Sequence, residues 1–141
     1  MKTSKGLKRI IEYLTKNNIE YSREARFNNC KDKIGLPFDL QITHNNKFAL
    51  IEYDGIQHFK YTPHFHKSES YFVEQKKRDL IKTNYCYDNK IPLLRISYDE
   101  DNIEQCVENF VMSFKNGKVL YSFHKSYNYE DHYRNSKCVI L

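Results

Sequence analysis

Tryptophan is absent from the 141 residues, and no stretch is apolar for long enough to cross a bilayer. The amino-terminal residues also lack the apolar core of a secretory signal. The four cysteines, Cys30, Cys86, Cys106 and Cys138, are widely spaced and contain no Cys-x-x-Cys pair. They read as free thiols of a protein kept in an intracellular, reducing compartment. No internal repeat is visible. What is present suffices for one domain with one core. Aromatic residues make up 15% of the chain, all Tyr and Phe, so a core is available despite the many polar residues. The net charge of +5 is mildly basic, which suits a polyanionic partner without requiring one.

From Ser4 to about Asn17, Leu7, Ile10, Ile11 and Leu14 recur at helical spacing, with lysines and Arg9 on the other face. Ser4 is the expected N-cap. Tyr21 to Phe27 reads as a first strand with Arg23 and Arg26 exposed. Two further strands, beginning at Leu36 and Phe48, flank an Asn45-Asn46 turn and form a hairpin. A loop rich in aromatics and histidines, with Pro63 in it, follows His58. Ser68 to about Asp88 is a long helix with Ser68 as N-cap and Glu69 in its first turn. Ile91 to Tyr98 is a buried strand with Arg95 inside its apolar run. Strand, helix and strand in this order favour a right-handed parallel crossover. Asp101 or Asn102 caps a last helix, whose stripe runs from Ile103 to Phe114, and Asn116-Gly117 ends it. No period appears from Lys118 onward, so residues 117–141 are expected to be a surface-draped or flexible tail on a 1–116 domain. The expected fold is mixed α/β, a small central sheet with helices on both faces.

The chemistry concentrates in Phe48-Ala49-Leu50-Ile51-Glu52-Tyr53-Asp54-Gly55-Ile56-Gln57-His58. Strand side chains alternate, so Glu52 and Asp54 project to one side. Paired acids at the end of an apolar strand are costly unless they bind something positive. A hard divalent cation such as Mg²⁺ fits, since it takes carboxylate oxygens and keeps several waters. The hairpin brings Asp39 beside Glu52. Asp54 precedes a glycine and also suits a turn. His58 suits proton transfer, and Gln57 suits a phosphate contact or the turn itself. On the long helix, Lys77, Arg78, Asp79 and Lys82 cluster, with Asp79 spaced to hold His58 or Lys82. A solvated charged face is the plainer reading of Lys77 and Arg78. His64 and His66 are only two ligands and do not close a zinc site. Both are expected to face solvent or nucleic acid.

These residues resemble the PD-(D/E)XK nuclease superfamily. Asp39, shortly after Pro37, matches its first aspartate, and Glu52 matches the D/E of the second half-motif. Asp54 stands where the lysine is usual. That change, followed by Gly-x-Gln-His, is similar to the branch of very-short-patch repair endonucleases and related small nucleases of bacteria, phages and large DNA viruses. The abundance of Lys, Asn, Ile and Tyr fits the AT-rich genomes common among such viruses. The likeness extends through the helix from Gln75 to Cys86 and the strand from Ile91 to Ile96. It implies a restriction-endonuclease-like fold and metal-dependent DNA cleavage with Mg²⁺, Mn²⁺ substituting. Asp39, Glu52 and Asp54 would hold the metal, with Gln57, His58, Asp79 and Lys82 completing the catalytic set. Lys82 would stand in for the missing strand lysine. Arg23, Arg26, Lys77 and Arg78 would contact nucleic acid. One departure is clear: Leu7 occupies the position after the helix-opening glycine where the family usually carries a metal-site glutamate, with Glu24 a possible substitute.

Two other readings remain. A binding module that kept the fold without turnover is suggested by Leu7. A prenylated interaction factor is suggested by Cys138-Val139-Ile140-Leu141, which fits a geranylgeranylation pattern. Aliphatic tails are common and a nuclease needs no anchor, so no lipid is expected. RNA as partner, target structure and oligomeric state stay open.

Overall fold

A computed structural model describes residues 3–32, 35–123 and 139–140. The first helix, α1, spans Lys5–Lys16, and the Ser4 hydroxyl accepts from the Leu7 N–H as a true N-cap. Strand β1 (Tyr21–Ala25) is shorter than expected and keeps Arg23 and Arg26 exposed. The hairpin is β2 (Phe38–His44) and β3 (Lys47–Asp54). Asn45 and Asn46 both have positive φ, 50° and 62°, the twist that a tight two-residue hairpin demands and that Asn tolerates. A 3₁₀ turn, Ile56–His58, leads through a loop to α2 (Glu69–Asp88), then to β4 (Leu93–Ser97) and α3 (Ile103–Lys115). Ser68 and Asn102 stand at the N-cap positions of α2 and α3, but neither side chain caps. The Ser68 hydroxyl meets that of Ser70 instead.

The sheet order is β1-β2-β3-β4-β5-β6. The first three strands are antiparallel, whereas β3, β4, β5 and β6 run parallel. Strands β5 (Tyr121–Phe123) and β6 (Val139–Ile140) fall where a tail was expected. Three residues are too few to show a period. Yet Ser122 and Phe123 are buried, so β5 belongs to the domain. The prenylation pattern centred on Cys138 lies outside the described residues.

Helices cover both faces. On one, α1 and α3 pack Leu7, Ile10, Leu14, Val107 and Phe110 against Leu40, Ile42, Ala49, Ile51, Leu94 and Ile96. Gly6 lets α1 come close, since a Cβ there would collide with the Tyr53 ring. On the other face Phe38, Leu50, Leu93, Phe123, Cys30 and Cys86 form a second cluster beneath α2. Cys30, Cys86 and Cys106 are free and buried, as expected of thiols acting as small apolar groups. Alternation along β3 and β4 places Glu52, Asp54 and Arg95 on the α2 face, with Leu50 and Leu93. No helix among the described residues is long and apolar enough to cross a membrane.

Candidate metal and proton-transfer site

The carboxyl end of β3 carries the acids, which is where parallel α/β sheets characteristically place their ligands. Parallel pairing sets Glu52 against Arg95 and Asp54 against Ser97. Helix α2 turns Asp79, Lys82, Thr83 and Cys86 inward, a helical i, i+3, i+4, i+7 set that is mostly polar. Burial of that polar stripe is tolerated because each group meets a partner.

Lys82 Nζ donates to Glu52 Oε2 at 2.6 Å and lies 5.1 Å from the centre of the Phe38 ring. The Asp39 N–H donates to Glu52 Oε1 at 2.6 Å, and the Tyr53 N–H donates to Asp39 Oδ2 at 2.8 Å. The hairpin thus ties Asp39 to Glu52 through reciprocal side-chain-to-backbone bonds. Burial pushes the Asp39 carboxyl up to about 7, with the neighbouring Glu52 charge adding to the rise and the Tyr53 N–H opposing it.

Two bonds of 2.8 Å, from Nε and Nη2 of Arg95, grip Asp54 from both oxygens. Arg95 Nη2 also reaches Asp79 Oδ1 at 3.2 Å, and Nη1 reaches Thr83 Oγ1 at 3.2 Å. His58 Nδ1 lies 2.8 Å from Asp79 Oδ2 and 3.5 Å from Asp54 Oδ1. Burial alone would lower the His58 pKa, but the Asp54 and Asp79 carboxylates outweigh it and raise it. Gln75 Nε2 touches Asp79 Oδ1 at 3.3 Å.

The charges pair off unevenly. Lys82 answers Glu52, with Arg95 Nη2 a further 3.8 Å neighbour, while Arg95 and His58 meet Asp54 and Asp79. Asp39 makes no ion pair among the described residues, although Lys82 opposes the rise of its pKa from a distance. Asp54, His58 and Asp79 also approach one another within 4.8 Å, a spacing that could hold a metal. Their oxygens already surround Arg95, whose full burial makes two carboxylates necessary. Oε2 of Glu52 in turn faces Lys82 Nζ at 2.6 Å and Arg95 Nη2 at 3.8 Å, so a cation would meet positive charge at either place.

Asp39, Glu52, Asp54, His58, Asp79 and Lys82 therefore converge. Gln57 folds back on Gly55, its amide lying where a Cβ would project. Arg23 bonds Thr3, and Arg26 bonds the Gly35 carbonyl, both in exposed surroundings on the β1 side. Lys77 is exposed and faces Asp32 at 3.4 Å. Arg78 is half-buried on α2. Leu7 packs in the α1–α3 cluster, while Glu24 is exposed at a left-handed φ of 55°. His66 is buried, contrary to the expectation of an exposed ring. Its Nδ1 accepts from the Thr62 N–H, and Tyr61 and Phe72 flank it. Arg95 is the residue whose role the sequence reading missed. A lone guanidinium in an otherwise apolar parallel strand was the available signal.

Comparisons with known proteins find similarity to uncharacterized viral proteins. It is similar to uncharacterized protein 307L of Invertebrate iridescent virus 6, with 38% identity over 74 residues, 51% of this chain and 38% of that protein. It is also similar to uncharacterized protein 033L of Invertebrate iridescent virus 3, with 31% identity over 48 residues, 34% of this chain and 25% of that protein. The chain thus spans well under half the length of either relative. No family model matches, and no solved structure matches.

Proposed function

We propose that the protein is a metal-dependent endonuclease of the PD-(D/E)XK kind that hydrolyses phosphodiester bonds in DNA. The observation that carries this reading is the Asp39–Glu52–Lys82 arrangement, with a helix lysine at 2.6 Å from the strand glutamate. Asp39 and Glu52 fit a hard divalent cation such as Mg²⁺, or Mn²⁺ in its place, because both are carboxylates and the hairpin brings them together. Such an ion would neutralise phosphate charge and acidify a bound water. Lys82 pairs with Glu52 and adds positive charge where the transition state becomes more negative. His58, whose pKa the Asp54 and Asp79 carboxylates raise, is suited to give a proton to the departing oxygen. With Nδ1 committed to Asp79, that transfer runs through Nε2. Arg95 is a positioning residue that fixes Asp54 and Asp79. Asp54 acts in this reading through Arg95 and His58, and not as a third ligand.

A non-catalytic nucleic-acid-binding module is the second reading, favoured by one observation. The first helix contributes Leu7 to an apolar cluster and no acid to the site. Cleavage of supercoiled and branched DNA, with Mg²⁺, Mn²⁺ or EDTA, separates the two. Asp39→Asn and Glu52→Gln are expected to abolish cleavage and keep DNA binding, since binding rests on basic groups elsewhere. Equal cleavage by wild type and Glu52→Gln would refute this site. Binding by wild type without cleavage of any substrate would establish the second reading.

A further inference from the structure

The loop from Phe59 to Ser68 leaves the 3₁₀ turn that carries His58 and enters α2, which carries Asp79. Its ten residues, Phe59-Lys60-Tyr61-Thr62-Pro63-His64-Phe65-His66-Lys67-Ser68, contain two lysines, two histidines and no acid. The loop is built, not slack. The N–H groups of Phe65 and His66 both donate to the Thr62 carbonyl, at 2.9 and 2.8 Å. The Thr62 N–H donates to His66 Nδ1 at 3.0 Å, and the Thr62 hydroxyl bonds the Lys60 carbonyl. His66 is the loop's anchor, 4% exposed between Tyr61 and Phe72.

This scaffold holds two aromatic rings outward. Phe65 is 56% exposed and Tyr61 38% exposed, and Lys60 and Lys67 beside them are exposed as well. Tyr61 stacks one face on the His66 imidazole, with centroids 5.9 Å apart and planes at 27°. Phe65 meets His64 only edge-on, at 83°, so neither of its faces is covered by that ring. Nδ1 of His66 accepts a hydrogen bond, so the neutral ring carries its proton on Nε2. That buried N–H has no acceptor among the described residues.

We propose that this loop binds an unpaired nucleotide of the DNA strand, so that the protein prefers single-stranded or splayed DNA over continuous duplex. Rigid aromatic faces beside lysines, without acids, form the platform and charge that single-stranded nucleic acid uses. Tyr61 and Phe65 offer their rings to bases, and Lys60 and Lys67 lie beside them for the flanking phosphates. In a continuous duplex the base faces are already stacked on one another, so the rings find no surface there. The inference rests on the nuclease reading for its substrate, DNA, but its test needs no catalysis.

The full chain, in EDTA so that nothing is cut, is titrated by fluorescence anisotropy with a labelled oligo-dT single strand and a duplex of equal length. Wild type is expected to favour the single strand by about tenfold. Phe65→Ala and Tyr61→Ala are each expected to weaken single-strand binding by about tenfold and leave duplex binding within about twofold. Phe65→Trp, which keeps a larger ring, should retain the preference. Tyrosine emission should also be quenched by oligo-dT, and less so in Tyr61→Ala; the absence of tryptophan makes that signal readable. Equal affinity of wild type for both DNA forms overturns the proposal. So does an equal loss of both affinities in Phe65→Ala. Cleavage without a single-strand preference would sink this proposal alone, whereas the preference without cleavage would sink only the nuclease reading.

Discussion

One sheet separates two unlike layers. Between α1, α3 and the sheet, the buried set is apolar, from Leu7 through Phe114, with partly buried tyrosines at its margin. Between α2 and the same sheet, an apolar cluster around Phe38, Leu50 and Leu93 gives way toward the strand ends to Glu52, Asp54, Asp79, Lys82 and Arg95. Dispersion and apolar burial hold the first layer, and any residue of suitable volume could serve it. The second layer is held by paired charges whose desolvation is offset only by specific geometry, which makes it costly to alter. Structural stability and candidate chemistry are thus assigned to opposite faces of β3 and β4, residue by alternate residue.

That contrast can be broken from either side. The largest effect is expected at His58. If it donates the proton, His58→Ala should lower the cleavage rate by roughly 10²- to 10⁴-fold with little change in DNA affinity. Single-turnover cleavage measures it, and an unchanged rate would remove His58 from the chemistry. Next is Arg95→Met, which strands Asp54 and Asp79 without their buried cation. A stability loss of about 3–5 kcal/mol is expected in urea unfolding. Phe110→Ala, on the apolar face, should cost a similar ~3–5 kcal/mol by leaving a cavity. The two should part company in their pH response. Cavity formation is indifferent to pH, whereas the Arg95→Met loss should shrink at acid pH as the stranded acids take up protons. Parallel losses across pH would erase the distinction between the layers.

A smaller effect concerns Asp39. Its folded-state pKa, about 7, lies above the ordinary carboxylate value of 3.8. The folded protein therefore holds this proton more tightly than the unfolded chain does. The associated stability is complete below the ordinary value and is lost as pH rises through about 7. His58 adds a loss of the same sign at higher pH, because its folded pKa is also raised. Asp39→Asn should flatten the decline between roughly pH 4 and 7, as read from unfolding midpoints. A decline of undiminished slope in this variant would contradict the placement of Asp39. Cleavage should accordingly be bell-shaped in pH, requiring Asp39 deprotonated and His58 protonated.

Much of this division is legible in the amino-acid order. Alternation in Phe48–Asp54 and the Asn45-Asn46 turn determine the hairpin and bring Asp39 to Glu52. Helical spacing places Asp79 and Lys82 on one face of α2. Less legible is the role of Arg95, because its partners come from β3 and α2, 41 and 16 residues away. Local pattern carries no information about such a meeting. Strand β5 is hidden for a similar reason, since three residues acquire their identity only by pairing with β4. His66 misleads because a histidine in a polar loop gives no sign that Thr62 and two aromatic rings will enclose it. Asp54 reads as a metal ligand and does lie with His58 and Asp79 in a group that could hold one, but the grip of Arg95 on both its oxygens is not legible in the sequence.

The central claim is that the cation site is Asp39–Glu52 and not Asp54–His58–Asp79, and Mn²⁺ binding followed by electron paramagnetic resonance tests it most directly. Wild type, Asp39→Asn, Glu52→Gln and His58→Ala are titrated on either side of pH 7. The account predicts binding in wild type and His58→Ala, tightening as pH rises through about 7, and none in the two acid variants. Binding that survives Asp39→Asn and disappears in His58→Ala would contradict it and move the metal to the histidine cluster.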